Sequence, residues 1–255
     1  MKKAKAIYTF YRNHVSVEDT TSLAYYFILS IVPAATLLTV LLQFFHLDIS
    51  KITFLDLSLM SEDVLELLQS VIASRNVSAY SIISLGICLY VCSKGIYRMT
   101  KNVNYMYKVD SLPFVPARFF AAVDTLLILL LIIGIVLFVT VVPFIFRFFH
   151  LSPLWNMVKY GGSFFYSFIV MVMINMLVPS LKLRFKEVYL GSLVTSVLFI
   201  LIIFGFSIYL RFANYSTVYG PFASLAVLLM IFYFFSKAIY LGYAINAFNK
   251  TKEYM

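Results

Sequence analysis

The stretch Val188–Leu210 reads VYLGSLVTSVLFILIIFGFSIYL and carries no charged residue. At about 1.5 Å of rise per residue, a helix of that length crosses roughly 30 Å of hydrocarbon. It also satisfies its own backbone hydrogen bonds on the way, as lipid requires. Five comparable apolar runs lie around it, at Ser22–Phe45, Ala79–Ile96, Phe119–Phe146, Gly162–Val178 and Pro221–Phe248. Composition agrees, with 62% hydrophobic and 12% charged residues, against about half and a quarter in a soluble domain. The reading is an all-α integral membrane protein: a bundle of about six transmembrane helices in a single membrane domain over residues 1–255.

Lys and Arg are shared unevenly between the two sides of such a bundle. Lys2, Lys3, Lys5, Arg12, Lys94, Arg98, Lys101, Lys108, Arg118, Lys182, Arg184, Lys186, Lys250 and Lys252 fall on the side of the termini. Only Lys51, Arg75, Arg147, Lys159 and Arg211 fall on the other. The positive-inside rule therefore predicts cytoplasmic N- and C-termini. The same distribution accounts for the net charge of +9 and speaks against nucleic-acid binding, because no basic face with interleaved aromatics is present.

Three segments lie outside the spans. Residues 1–19 mix Lys and Arg with Ile7, Tyr8, Phe10 and Tyr11, the pattern of an interfacial helix on the cytoplasmic leaflet. Residues 46–78 form an extracytoplasmic loop with a short amphipathic helix, N-capped at Ser61 with Glu62 and Asp63 in its first turn. Residues 249–255 form a cytoplasmic tail. The connection Lys94–Pro116 is basic and aromatic, and it continues the second helix before running along anionic headgroups.

Several local patterns are similar to the YihY/BrkB family of bacterial inner-membrane proteins, formerly called the ribonuclease BN family. They are Ser22–Pro33 (SLAYYFILSIVP), Asn104, Val178-Pro179 with Lys182 and Arg184, Phe206–Tyr209 (FSIY), Tyr215–Gly220 (YSTVYG) and Leu241–Asn246 (LGYAIN). The resemblance implies a six-helix protein of the bacterial plasma membrane, associated in relatives with envelope integrity or transport. Two departures stand out. The family's Gly-Ala-Glu-x-Asn is replaced by Gly242-Tyr-Ala-Ile-Asn246, and its tryptophan is missing near Ile231-Phe-Tyr233. A role of that glutamate in relatives is not carried over.

The old ribonuclease label finds no support in residue chemistry. Metal-assisted phosphodiester cleavage needs His, Asp or Glu gathered at ligand distance. The histidines His14, His46 and His150 are scattered over both sides, and no phosphate-cradling glycine loop is present. The reading is no enzyme, no catalytic residue, no cofactor and no metal. Cys88 and Cys92 sit four apart on one face of one rigid helix and read as small packing residues rather than a disulfide.

Two charges inside apolar runs remain, Asp124 and Lys237. A charge at membrane depth costs about 2.5–3.5 kcal/mol or more, so it faces protein or water. Counting rise per residue places Asp124 roughly 9 Å and Lys237 roughly 15 Å from the inner side. Ser30, Asn175, Thr195, Ser196, Ser236, Tyr240 and Asn246 fall in the same half. Two arrangements are open. In one, these residues line a polar pocket in which Asp124 and Lys237 pair. In the other, Asp124 meets water or Arg118, Lys237 snorkels, and the hydroxyls only pack helices. The stripes Ala238/Gly242/Asn246 and Gly191/Thr195 read as close helix packing.

The first arrangement suits a transporter or flippase for a lipid-linked or amphiphilic anionic substrate. Lys237, Asp124, Ser30, Asn175, Thr195, Ser196, Tyr240 and Asn246 would bind it, and Tyr209, Tyr215, Tyr219 and Gly220 would shape the outer end. The second suits a structural or assembly factor of the envelope. A cation/proton exchanger using Asp124 is a third reading. The expected partners are membrane lipids, anionic ones above all.

Overall fold

The computed structural model describes residues 2–44, 79–148, 155–212 and 221–253. Among them are seven α-helices and no strand. They are α1 (Lys2–His14), α2 (Val17–Phe44), α3 (Ala79–Met106), α4 (Phe114–Phe148), α5 (Trp155–Leu177), α6 (Phe185–Phe212) and α7 (Pro221–Glu253). Helices α2 to α7 occupy the six apolar runs. Three of them hold stretches long and apolar enough to cross a membrane: Phe114–Leu131, Phe185–Tyr209 and Ala226–Thr251. A shorter apolar stretch, Phe164–Leu177, lies in α5. The expected loop at 46–78, with Ser61, lies outside the described residues, as do Tyr215, Tyr219 and Gly220.

Local chemistry sets several helix ends beyond the apolar runs. The Ser16 N–H donates to Asp19 Oδ2 (3.1 Å) and the Asp19 N–H donates to Ser16 Oγ (3.0 Å). This capping box starts α2 at Val17, ahead of the expected Ser22. At the other end of α3, the Val109 N–H reaches the Asn104 carbonyl (3.0 Å) and the Lys108 N–H reaches Tyr105 (3.2 Å). Lys108 itself has φ 54°. That is a Schellman ending, and it carries α3 to Met106, well past Ile96. Helix α7 continues to Glu253, so the expected tail at 249–255 begins as helix. Lys250 on this last turn is 3.1 Å from Glu187 of α6.

The helices pack in a ring that follows chain order, α2 on α3, α3 on α4, and so on to α7, which closes back on α2. Helix α3 also reaches α7 across the ring, and α1 lies against α7 and α3. Phe10 of α1 meets Phe248 of α7 edge-on at 5.7 Å, so both ends of the chain share one end of the bundle. This is the basic end. Its core gathers Leu23, Met99, Val103, Val178, Val188, Tyr240 and Tyr243. The outward face is apolar instead, with Leu201 58% and Phe204 64% exposed on α6. A water-facing helix would place polar residues there.

Candidate functional site

The polar layer is assembled, but as a lock between helices. Asn246 of α7 donates from Nδ2 to Asn175 Oδ1 of α5 (3.0 Å), and its Oδ1 accepts the Gly191 N–H of α6 (2.8 Å). Asn175 in turn donates to the Met171 carbonyl (2.7 Å). The Thr195 hydroxyl contacts the Gly191 carbonyl (2.9 Å) and the Ala238 carbonyl of α7 (3.2 Å). Ser196 bonds back to Ser192 within α6 (2.9 Å). All of these side chains are buried. A buried amide with both ends satisfied is a fixed part of the packing.

The other expected site residues are distributed around this lock. Tyr240 is fully buried and its hydroxyl accepts from Asn102 Nδ2 of α3 (3.1 Å). The Ser236 hydroxyl is buried without a partner. Ser30 offers its backbone carbonyl to the Cys92 thiol (3.8 Å), and Cys88 and Cys92 are both free. Tyr209 packs edge-on against Phe206 (6.0 Å).

Asp124 and Lys237 do not pair, which rules out the ion pair of the first of the two arrangements left open above. The two ion pairs among the described residues join Arg98 to Asp19 (3.3 Å) and Lys250 to Glu187 (3.1 Å). Lys237 instead holds its ammonium over the Tyr233 ring of its own helix, 4.5 Å from the centroid. The physical reason is the order of the ring. Asp124 sits on α4, which packs on α3 and α5, whereas Lys237 sits on α7, between α6 and α2. Burial raises the Tyr11 phenol of α1 above its ordinary range, while the Thr20 hydroxyl and then the Lys237 charge pull it down. The lysine therefore acts on the α1 side of the bundle.

What does form at the basic end is a cleft of about 510 Å³ between α3, α4 and the turn after α5. Lys101 and Lys182 line it together with Asn104, Ser111 and Ser180. Its apolar walls are Leu112, Phe120, Leu177 and Val178. The polar floor is pre-set: Asn104 Nδ2 donates to Ser180 Oγ (2.8 Å), and the Ser180 N–H donates to Asn104 Oδ1 (2.9 Å). Neither lysine enters an ion pair among the described residues. A smaller cleft of about 390 Å³ adjoins it and shares Lys101 and Ser111 with His14, Asp19 and Asp110. Among the described residues no three His, Cys, Asp or Glu side chains gather at metal-binding distance.

The sequence pointed to Lys101 only through the orientation count, to Asn104 only through the family resemblance, and to Lys182 through both. Nothing periodic marks them, because they meet through the turn at 178–184, far from Asn104 in sequence. The family's glutamate position corresponds to Ala244, which is fully buried in the core.

The chain is 26% identical to the ribonuclease-like protein YfkH of Bacillus subtilis over 267 aligned residues, covering 99% of this chain and 97% of that protein. It is 34% identical over 80 residues to a UPF0761 membrane protein of Coxiella burnetii, covering 31% of this chain and 29% of the relative. A UPF0761 membrane protein of Chromobacterium violaceum matches at 34% over 85 residues, covering 33% of this chain and 20% of its own length. No solved structure matches. The family model described as Virulence factor BrkB matches residues 8–254, and the chain is a membrane protein that belongs to this family.

Proposed function

We propose that the protein is a non-enzymatic transporter or flippase for a lipid-linked or amphiphilic anionic substrate in the bacterial plasma membrane. In this reading it is one membrane domain in which α2 to α7 each cross the bilayer. The basic end and both termini face the cytoplasm, in keeping with the distribution of Lys and Arg. The observation that supports it best is the cleft. Two lysines without carboxylate partners among the described residues stand over apolar walls, which suits a ligand with a charged head and a greasy body. The cleft is the entrance, and Lys237, a cation at span depth without a carboxylate partner among the described residues, is the interior station for the charged group.

The test is movement of a fluorescent phosphatidylglycerol analogue between leaflets of vesicles containing the purified protein. Faster movement than in protein-free vesicles is expected. The Lys101→Gln/Lys182→Gln double variant should slow it by roughly tenfold or more while still inserting, because each lost charge contact is worth about 1.5–3 kcal/mol. Lys237→Ala should also reduce it. Wild-type vesicles that move the analogue no faster than empty ones would sink the transport reading. RNA incubated with the protein should stay intact.

One observation favours a second reading, a structural or assembly factor of the envelope. The Asn175–Asn246–Gly191 network spends the buried polar groups on holding helices together. On that reading substitutions in the cleft leave no transport phenotype, and those in the network act through stability alone.

A further inference from the structure

Arg118 and Lys94 converge on one aromatic surface at the basic end of the α3–α4 pair. The Arg118 Cζ lies 4.3 Å from the Tyr97 centroid, 5.3 Å from Tyr90 and 5.5 Å from Phe114. The Lys94 ammonium lies over the same Tyr90 ring, at 5.0 Å. Two like charges thus share a ring, and neither takes part in an ion pair among the described residues. The Arg118 Nε and Nη1 are moreover buried without a hydrogen-bond acceptor among the described residues.

Aromatic faces attract a cation but accept its N–H groups poorly, so a buried guanidinium in such a cage keeps unmet donors. Repulsion between the two cations adds to that demand. The missing group has to be an anion that accepts several hydrogen bonds, and phosphate matches the fork of an arginine. The surroundings say from where it comes. Ile87 (59% exposed), Phe114 (60%), Val115 (75%) and Phe119 (66%) open outward beside the cage. A soluble anion gains nothing from such a surface, whereas the acyl chains of a lipid cover it.

We propose that Arg118 and Lys94, on the platform of Tyr90, Tyr97 and Phe114, bind the phosphate of an anionic phospholipid resident at the basic end of the bundle. The site is separate from the cleft: neither Arg118 nor Lys94 lines it, although Tyr97 forms part of its wall. The lipid is a fixed ligand that supplies the counter-charge Arg118 and Lys94 do not find among the described residues, and it does not depend on the protein transporting anything.

The experiment is native mass spectrometry and thermal unfolding of the full chain in mild detergent. It is titrated in parallel with phosphatidylglycerol, phosphatidylcholine and inorganic phosphate. Wild type should retain phosphatidylglycerol in preference to phosphatidylcholine and be stabilised by it. Lys94→Gln/Arg118→Gln should bind it roughly tenfold more weakly. Should that variant fail to fold, Arg118→Lys and Lys94→Gln singly should each weaken binding, the first because lysine lacks the planar fork. Lys186→Gln, which removes an exposed charge of α6 that lines neither site, should bind as wild type does, so that a loss in the Arg118 and Lys94 variants is not a general effect of net charge. Equal binding of the two lipids, stabilisation by inorganic phosphate as strong as by phosphatidylglycerol, or unchanged affinity in the Arg118 and Lys94 variants would overturn the site.

Discussion

Gly191 of α6 and Gly242 of α7 stand at the point where the two helices cross. A Cβ built on Gly191 would fall on the Gly242 carbonyl oxygen, and one built on Gly242 would fall on the Thr195 hydroxyl. Close approach here brings Asn246 within reach of the Gly191 N–H and Thr195 within reach of the Ala238 carbonyl.

Alanine at Gly191 therefore has to push two backbones apart. Overpacking of this kind costs typically 1–3 kcal/mol, and the upper part of that range is expected, because backbone cannot move aside as a side chain can. Thermal unfolding in detergent is the measurement. Gly86→Ala is the matched control, since nothing lies within 4 Å of its added methyl. Helix propensity favours alanine there by up to about 1 kcal/mol. Equal effects at the two positions would show that the crossing is not tight.

Asn246 of α7 joins three helices through its bonds to Asn175 of α5 and Gly191 of α6. Asn246→Ala leaves the Asn175 Oδ1 without its donor and removes the acceptor of the Gly191 N–H. A loss of about 1–3 kcal/mol follows from leaving buried groups unmet. In a double-mutant cycle, Asn246→Ala and Asn175→Ala should be less costly together than the sum of the two. Coupling of about 0.5 kcal/mol or more is expected for side chains in contact. Strict additivity in unfolding measurements would contradict the shared hydrogen bond.

Lys108 ends α3 in the left-handed region, at φ 54°, where a Cβ is crowded and glycine is at ease. Lys108→Gly should therefore stabilise the protein, by about 1 kcal/mol at most, even though glycine adds freedom to the unfolded chain. The readout is the unfolding midpoint. A lowered midpoint would mean that the lysine side chain makes a contact worth more than the strain.

Tyr107 carries a buried hydroxyl with no hydrogen-bond partner. Burial first, and the Glu187 charge second, push its phenol above the ordinary value of 10.0. Tyr107→Phe should cost less than about 0.5 kcal/mol or raise stability, because the lost group was only a desolvation penalty. The sign with pH follows from the raised folded value. The folded state keeps its proton while the unfolded chain releases it. Stability is thus full below about pH 10 and falls as pH climbs above it. The phenylalanine variant should lose less stability than wild type between about pH 10 and 11.

Much of the architecture was readable in advance. The apolar runs located helices α2 to α7, with the end of α3 the furthest off, at Met106 rather than Ile96, and the small-residue stripes at Gly191/Thr195 and Ala238/Gly242/Asn246 marked the α6–α7 crossing. Misplaced ends share a cause: hydropathy reports where lipid stops, whereas the Ser16–Asp19 box and the Lys108 turn report where the hydrogen-bond ladder stops.

What one linear chain determines in this protein is length, apolarity and depth, because each is a sum over neighbours in sequence. Rotation about a helix axis is another matter. A span that is apolar on every side has no wet face to set its azimuth, so nothing in the order of residues said that Asp124 and Lys237 look into different parts of the ring. Only the packed bundle decided that, and it equally decided that Asn175 meets Asn246 and that Arg118 lies on Tyr90 and Tyr97. Those pairings depend on which helices become neighbours and how far each is turned.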